Sequence, residues 1–237
     1  FLDNAAEIGR TVICVGSGND GASAGHLAGS FGQAARGAVE SVELAVGEYE
    51  NSLGIQLWKN YSDIYNIRLR SPGGQEAPLP ANIQGGKYTL QLEQTQILVF
   101  IGEPQPYEAA QEIYLELLPV GRRYIDSGVW TVRLEAVRLV TGQFYFYLPS
   151  AAARSAATRF FLPTPEVTLT IPATAAKVIT VGAYDSTYDS YADFSGRGYA
   201  DSERTIGVVT AGLAKPDFVA PGVGIVAPDL YGSFLPV

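Results

Sequence analysis

The 237-residue chain has no methionine, one cysteine (Cys14), one histidine (His26) and two tryptophans. A lone cysteine excludes an internal disulfide framework and a thiolate metal site. Set in the apolar run Val12-Ile13-Cys14-Val15, Cys14 is expected to be a small buried hydrophobe, not a nucleophile. Without a methionine the sequence as given does not begin at a translation start. It is therefore expected to be a piece of a longer protein, with a catalytic set divided between this piece and the remainder. No apolar run is long enough to span a bilayer, and the N-terminus lacks the basic start and apolar centre of a signal peptide, so no membrane partner is expected. Positive charge is also scarce. The chain carries 16 Lys and Arg against 24 Asp and Glu, a net charge of -8. Thinly spread cations exclude the clustered contacts that hold nucleic-acid phosphates. With 47% hydrophobic and 17% charged residues, the sequence reads as a soluble globular protein with one large core or two modest ones.

The run from Val12 to Val15 ends abruptly in Gly16-Ser17-Gly18-Asn19-Asp20-Gly21. Val and Ile tolerate burial on both faces, so the run reads as a buried parallel strand, and the glycines allow a tight turn at its carboxyl end. In open α/β sheets ligands sit at that end. The turn itself is either an ordinary connection or one that presents the Asn19 amide to a reacting group. Ahead of it, Leu2, Ala5, Ala6 and Ile8 at near-helical spacing, closed by Gly9 and Arg10, predict a helix over residues 1–10. Residues 22–35, rich in Gly, Ala and Ser, suit close packing or a surface loop. His26 lies there without an acidic partner in sight, which favours a structural role over that of a base.

From about residue 38 the texture changes to period-two alternation. Val42, Leu44 and Val46, then Ile55 and Leu57, then Tyr65, Ile67 and Leu69, then Tyr88, Leu90 and Leu92 alternate with polar residues, and residues 96–101, 112–118, 129–137 and 143–148 continue the series. About eight short strands at spacings of roughly 8–15 residues predict an antiparallel sandwich, for which a jelly roll is the natural candidate. Trp58, Trp130, Phe144 and Phe146 either line a sugar-binding groove or fill the space between sheets. Their place in alternating strands favours the core. Residues 149–165 read as a linker, and Val178-Ile179-Thr180-Val181-Gly182 returns to the α/β texture.

Four later segments sharpen the reading: Ile171-Pro172-Ala173, Lys177 through Ala183, Asp193-Phe194-Ser195-Gly196-Arg197-Gly198, and Lys215-Pro216-Asp217-Phe218-Val219-Ala220-Pro221-Gly222. In this order and spacing they resemble the C-terminal half of a subtilisin-family serine peptidase, and Gly18-Asn19-Asp20-Gly21 resembles that family's oxyanion loop. The long β insertion is similar to the jelly-roll insert of clostridial spore-germination subtilases of the Csp type.

The resemblance implies an α/β fold, part of a subtilisin-like parallel sheet with helices, formed by residues 1–37 and 166–237 and interrupted by an inserted antiparallel β-sandwich at 38–165. It implies acyl transfer by a Ser/His/Asp triad whose members lie outside this chain, with Asn19 as oxyanion donor and Gly18 and Asp20 at the substrate. His26, in a Gly-His-Leu-Ala-Gly context, does not match the family's histidine motif. Asp185, Asp193, Asp201 and Asp217 read as turn or cap residues. The carbonyls of Ala173, Ala175 and Val178 match a weak structural cation site, no other cofactor is implied, and Ile171-Pro172 is expected to be cis. The expected partners are a protein or peptide substrate and the remaining segments of the same protein, in a secreted or spore-associated setting. The expectation is a serine endopeptidase whose present portion is inactive alone. The alternatives are a pseudoprotease or a scaffold binding protein or carbohydrate.

Overall fold

Alternating burial shapes most of this chain, and the computed structural model describes it over residues 1–7, 9–32, 36–80, 85–103, 106, 109–198, 215–228 and 234–236. In chain order, a short helix α1 (Leu2–Ala5) precedes β1 (Cys14–Gly16), β2 (His26–Ser30), β3 (Val39–Val46), β4 (Leu53–Asn60), β5 (Ile64–Arg70) and β6 (Glu76–Leu79). There follow β7 (Gly86–Leu92), β8 (Thr95–Ile101), β9 (Ala110–Pro119), β10 (Gly128–Arg138) and β11 (Gln143–Tyr147). After a single 3-10 turn at Ala151–Ala153 come β12 (Arg159–Phe160), β13 (Ile179–Asp185), β14 (Ser190–Tyr191), β15 (Phe218–Pro221), β16 (Val226–Pro228) and β17 (Phe234–Pro236). The described residues divide into two units, one formed by Ala24–Thr164 and the other by Phe1–Ser23 with the described residues from Pro165 onward.

The unit of Ala24–Thr164 is a two-sheet antiparallel sandwich. One sheet runs β2-β11-β4-β9-β8-β7 and the other β12-β3-β10-β5-β6. On β10, Trp130, Val132, Leu134 and Ala136 are buried while Thr131, Arg133 and Glu135 between them are not. Period-two burial of this kind is what one core-facing and one wetter face impose. Ile97, Val99 and Ile101 on β8 and Ile113, Leu115 and Leu117 on β9 fill the same core. Trp130, Phe144 and Phe146 lie in that core, and Trp58 is half-buried, so these aromatics form no open groove. Residues 22–35 contribute β2, because Gly29 lets the Phe144 ring lie directly on the strand: a Cβ there would collide with the ring. The stretch of linker composition contributes β12, whose Phe160 is in the core and pairs with Leu44.

A polar knot is buried beside this core. The Asp63 carboxylate accepts from the Gly142 amide (2.9 Å), the Thr141 amide (3.1 Å) and hydroxyl (2.9 Å), the Tyr65 hydroxyl (3.2 Å) and the Val140 amide. Lys59, 2% exposed, donates from Nζ to the carbonyls of Asp63 (2.7 Å) and Asn60 (3.2 Å). Burial pushes the Lys59 ammonium down to about 8, with Asp63 partly offsetting the effect.

The other unit is built on a small sheet in which β13 pairs in parallel with β1 (Cys14 opposite Ile179) and with β15 (Val181 opposite Phe218) and antiparallel with β14. A separate antiparallel pair joins β16 and β17. The expected α/β fold, a parallel sheet with helices, is not what is found. The structure is nearly all β, its larger sheets are antiparallel, and α1 is the one α-helix among the described residues. The helix expected over residues 1–10 shrinks to that turn and then closes as a bridge between Glu7 and Thr11. Four residues are too few to sustain a helix without packing. For the same reason Cys14 is exposed and Val12 is 68% exposed. A three-residue strand with no described helix on its faces cannot bury what it carries.

Candidate active site

β1 delivers the chain into the loop of Ser17 to Gly21, and that loop is held by backbone. The Ser17 amide donates to the Val181 carbonyl (2.9 Å), Gly196 to Gly18 (2.9 Å), Gly21 to Phe194 (2.9 Å), and Thr170 to Ser17 (3.1 Å). Such close approach needs glycine. A Cβ at Gly21 would be driven onto the Ser195 carbonyl and one at Gly196 onto that of Ser17, while Gly18 has φ +102° and a Cβ there would meet Thr170 at 2.6 Å. Inside the clamp, Ser17 Oγ lies 3.1 Å from Ser195 Oγ, which also receives the Ala183 amide (2.9 Å) and donates to the Tyr191 hydroxyl (3.0 Å). Tyr191 passes its own hydrogen to the Gly196 carbonyl (2.8 Å). Every hydroxyl in this chain of bonds is occupied, so Ser195, fully buried, is a structural serine.

The loop opens on a recess of about 550 Å³ that includes Gly16, Gly18 and Asn19 with Gly182 and Ala183 of β13 and Gly222 after β15. It lies at the carboxyl ends of β1 and β15, the end at which open parallel sheets place their ligands, and its volume falls within the range of small-ligand sites. Asn19 is exposed and its side-chain amide has no hydrogen-bond partner among the described residues. Among the described residues, none that lines the recess is titratable. The arrangement can therefore bind and polarise a ligand oxygen, and any proton transfer must come from groups elsewhere.

The other residues singled out from sequence fall as follows. Gly18 lines the recess with Asn19. Asp20 does not, and its carbonyl instead accepts from the Ser23 amide (3.1 Å) and hydroxyl (2.9 Å). His26 belongs to the sandwich unit, buried, with Nδ1 2.9 Å from the Thr164 carbonyl and its ring 4.5 Å from that of Tyr147. The Ala173 carbonyl accepts from the Thr180 hydroxyl (2.8 Å) and that of Val178 from the Lys215 ammonium (2.6 Å). Lys215 thus already supplies positive charge beside Val178, and these carbonyls fit poorly as a cradle for a further cation. For Ala175 no bond to its carbonyl is seen among the described residues.

Asp217 ties β13 to β15, accepting from the Thr180 amide (2.6 Å) and Lys215 (2.7 Å). Burial works against its charge, but the Lys215 ammonium and that amide outweigh it and hold the carboxyl below its usual value. Asp185 caps a turn through the Thr187 amide (2.8 Å), Asp193 is exposed with Arg197 4.0 Å away, and Asp201 lies outside the described residues. The Ile171-Pro172 bond is cis, as expected. Two features escaped the sequence reading: the Ser17–Ser195–Tyr191 relay and the Lys215–Val178 bond. Phe194-Ser195-Gly196 was visible as a motif, but nothing in it said which groups its serine joins.

The fold as a whole has a counterpart. This chain is similar to the CspB protease of Clostridium perfringens. The similarity covers 100% of this chain and 47% of that one, with 27% sequence identity and a TM-score of 0.84. The chain thus spans less than half the length of the CspB protease chain it matches. At a coarse level it is protease-related. No family model and no curated protein matches it.

Proposed function

We propose that this chain is the oxyanion-bearing portion of a subtilisin-like serine endopeptidase, in which Asn19 donates to the oxygen that becomes charged as a peptide carbonyl is attacked. The observation that carries this reading is an unpartnered, exposed asparagine amide on a loop clamped by glycine backbone contacts, at the mouth of a recess on parallel strand ends. Preorganised donors of this kind cost nothing to reorganise at the moment of reaction. The likeness to the CspB protease supports the class of chemistry. The triad would be supplied by other parts of the protein. The chain alone is expected to be inactive, since among the described residues the recess has no titratable lining and His26 is committed elsewhere.

The test is Asn19→Leu in the full-length protein. A donor that meets its acceptor only as charge develops should affect kcat and leave KM nearly unchanged. The expected drop is about 10²–10³ in kcat, the magnitude that loss of one oxyanion donor has in subtilisin. Active-site titration counts competent enzyme first. An unchanged rate per titrated site would return Asn19 to the role of a turn residue.

A further inference from the structure

A second recess, of about 260 Å³, lies at one end of the sandwich between the β3–β4 turn and the loop preceding β10. Glu48 and Tyr49 come from the turn, and Arg122, Arg123, Tyr124 and Ser127 from the loop. The backbone of Tyr49 has φ +68°, a conformation in which glycine or asparagine would be cheaper. A bulky aromatic kept there points to a use for its ring. Tyr49 is 73% exposed, and its ring makes a T-shaped contact with that of Tyr124, centroids 5.4 Å apart at 81°. The Arg123 guanidinium lies 5.3 Å from the other ring's centroid.

Both walls are built in advance. Next to Tyr49, the buried Glu50 carboxylate accepts from the Ser155 amide (2.6 Å) and the Thr158 hydroxyl (2.5 Å), and its carbonyl receives the Ile125 amide (2.9 Å). Across the recess, the buried Asp126 carboxylate accepts from Thr95 Oγ1 (2.6 Å), the Gln94 amide (3.0 Å) and Arg122, and its carbonyl receives Trp130 Nε1 (2.8 Å). Arg122 is thus neutralised by Asp126. On the rim, Arg123 and Glu48 have no ion-pair partner among the described residues and leave the site with no net charge.

We propose that this recess binds one neutral pyranose unit of a glycan. The exposed Tyr49 ring takes the C–H surface of the sugar ring, Tyr124 stands as a wall at its edge, Arg123 donates to its hydroxyl oxygens, and Glu48 accepts from its hydroxyl hydrogens. Balanced charge disfavours both an anion and a cation as the ligand. The volume, below the roughly 300 Å³ at which drug-sized ligands begin to fit, suits a single ring. The site is independent of the recess at Asn19.

The test is amide chemical-shift titration of the full chain with methyl glucopyranoside, galactose and N-acetylglucosamine, with glucuronate and choline as charged controls. The expected result is saturable shifts confined to the β3–β4 turn and the loop before β10 with at least one neutral sugar. Tyr49→Gly, which relieves the positive φ and should melt no lower, and Arg123→Gln should each weaken that binding about tenfold. Three results would overturn the proposal: no saturable shift with any neutral sugar, binding of glucuronate or choline only, or wild-type sugar affinity in folded Tyr49→Gly.

Discussion

Replacing Lys59 by Met should change how stability depends on pH more than it changes stability at neutrality. The ammonium is 2% exposed and its pKa is pushed down to about 8 by burial, against 10.5 for an ordinary lysine. Between those values the unfolded chain still holds the proton that the folded chain has released. Stability therefore rises with pH across that window, by about 3 kcal/mol in full and about 2 kcal/mol between pH 7.5 and 9.5. At pH 7 the variant escapes that desolvation cost but loses two charge-assisted bonds, to the carbonyls of Asp63 and Asn60, each worth about 1.5–3 kcal/mol. The two effects nearly cancel. Burial also raises Tyr65 and lifts Tyr114 to about 12, so both curves should turn downward above pH 10. Those tyrosines are common to both proteins and drop out of the difference. Urea unfolding followed by tryptophan fluorescence at a series of pH values gives that difference directly. Parallel profiles from pH 7.5 to 9.5 would refute the buried, depressed lysine.

Asp63→Ala strips the acceptor from the Gly142 and Thr141 amides and from the Tyr65 hydroxyl, and should cost about 3–5 kcal/mol in the same unfolding assay. A loss below 1 kcal/mol would show that water replaces the carboxylate. Trp130→Ala empties a fully buried site and orphans the Asp126 carbonyl, for an expected loss of about 3–5 kcal/mol. Gly196→Ala forces a Cβ onto the Ser17 carbonyl and should speed hydrogen exchange at the Ser17 and Gly21 amides, and unchanged protection there would contradict the clamp. Asn19→Leu in this chain should leave stability within about 0.5 kcal/mol, because its amide holds nothing in place. A larger drop would favour a purely structural asparagine.

Strands β3, β4, β5 and β7 to β11 were legible because a sheet with one core-facing side writes its geometry into every second residue. β2 and β12 were not, since their pairing depends on where Phe144 and Leu44 arrive from far along the chain. At Val12 and Cys14 hydrophobicity pointed to burial, and the exposure follows from what fails to cover β1, which no local pattern records. The helix over residues 1–10 was read from the spacing of Leu2, Ala5, Ala6 and Ile8, and the other helices of the expectation came through resemblance. Motifs carry loops and strand ends over from one protein to another, but they say little about what packs behind them. Around Asn19 the break from apolar strand to glycine-rich turn was readable, while the clamp was not. It is made of carbonyls and amides, and only the glycines that admit them leave a trace.

The sandwich leaves its host unit after Ser23 and returns to it at Pro165. Its two ends are stitched together: the Phe160 amide bonds the Ala24 carbonyl (2.9 Å), Leu148 bonds Gly25 (2.8 Å) and Thr164 bonds His26 (2.9 Å). Once folded, roughly 140 residues therefore act on the host as a short connection does. Left unfolded, the same segment would charge the host the entropy of closing a loop of that length, about 4 kcal/mol by (3/2)RT ln n. That is a large share of the stability a typical domain possesses. The order of events in folding follows: the sandwich gains nothing by waiting for its host, whereas strands β1 and β13, on either side of the insertion, become easy to join only after the sandwich has closed.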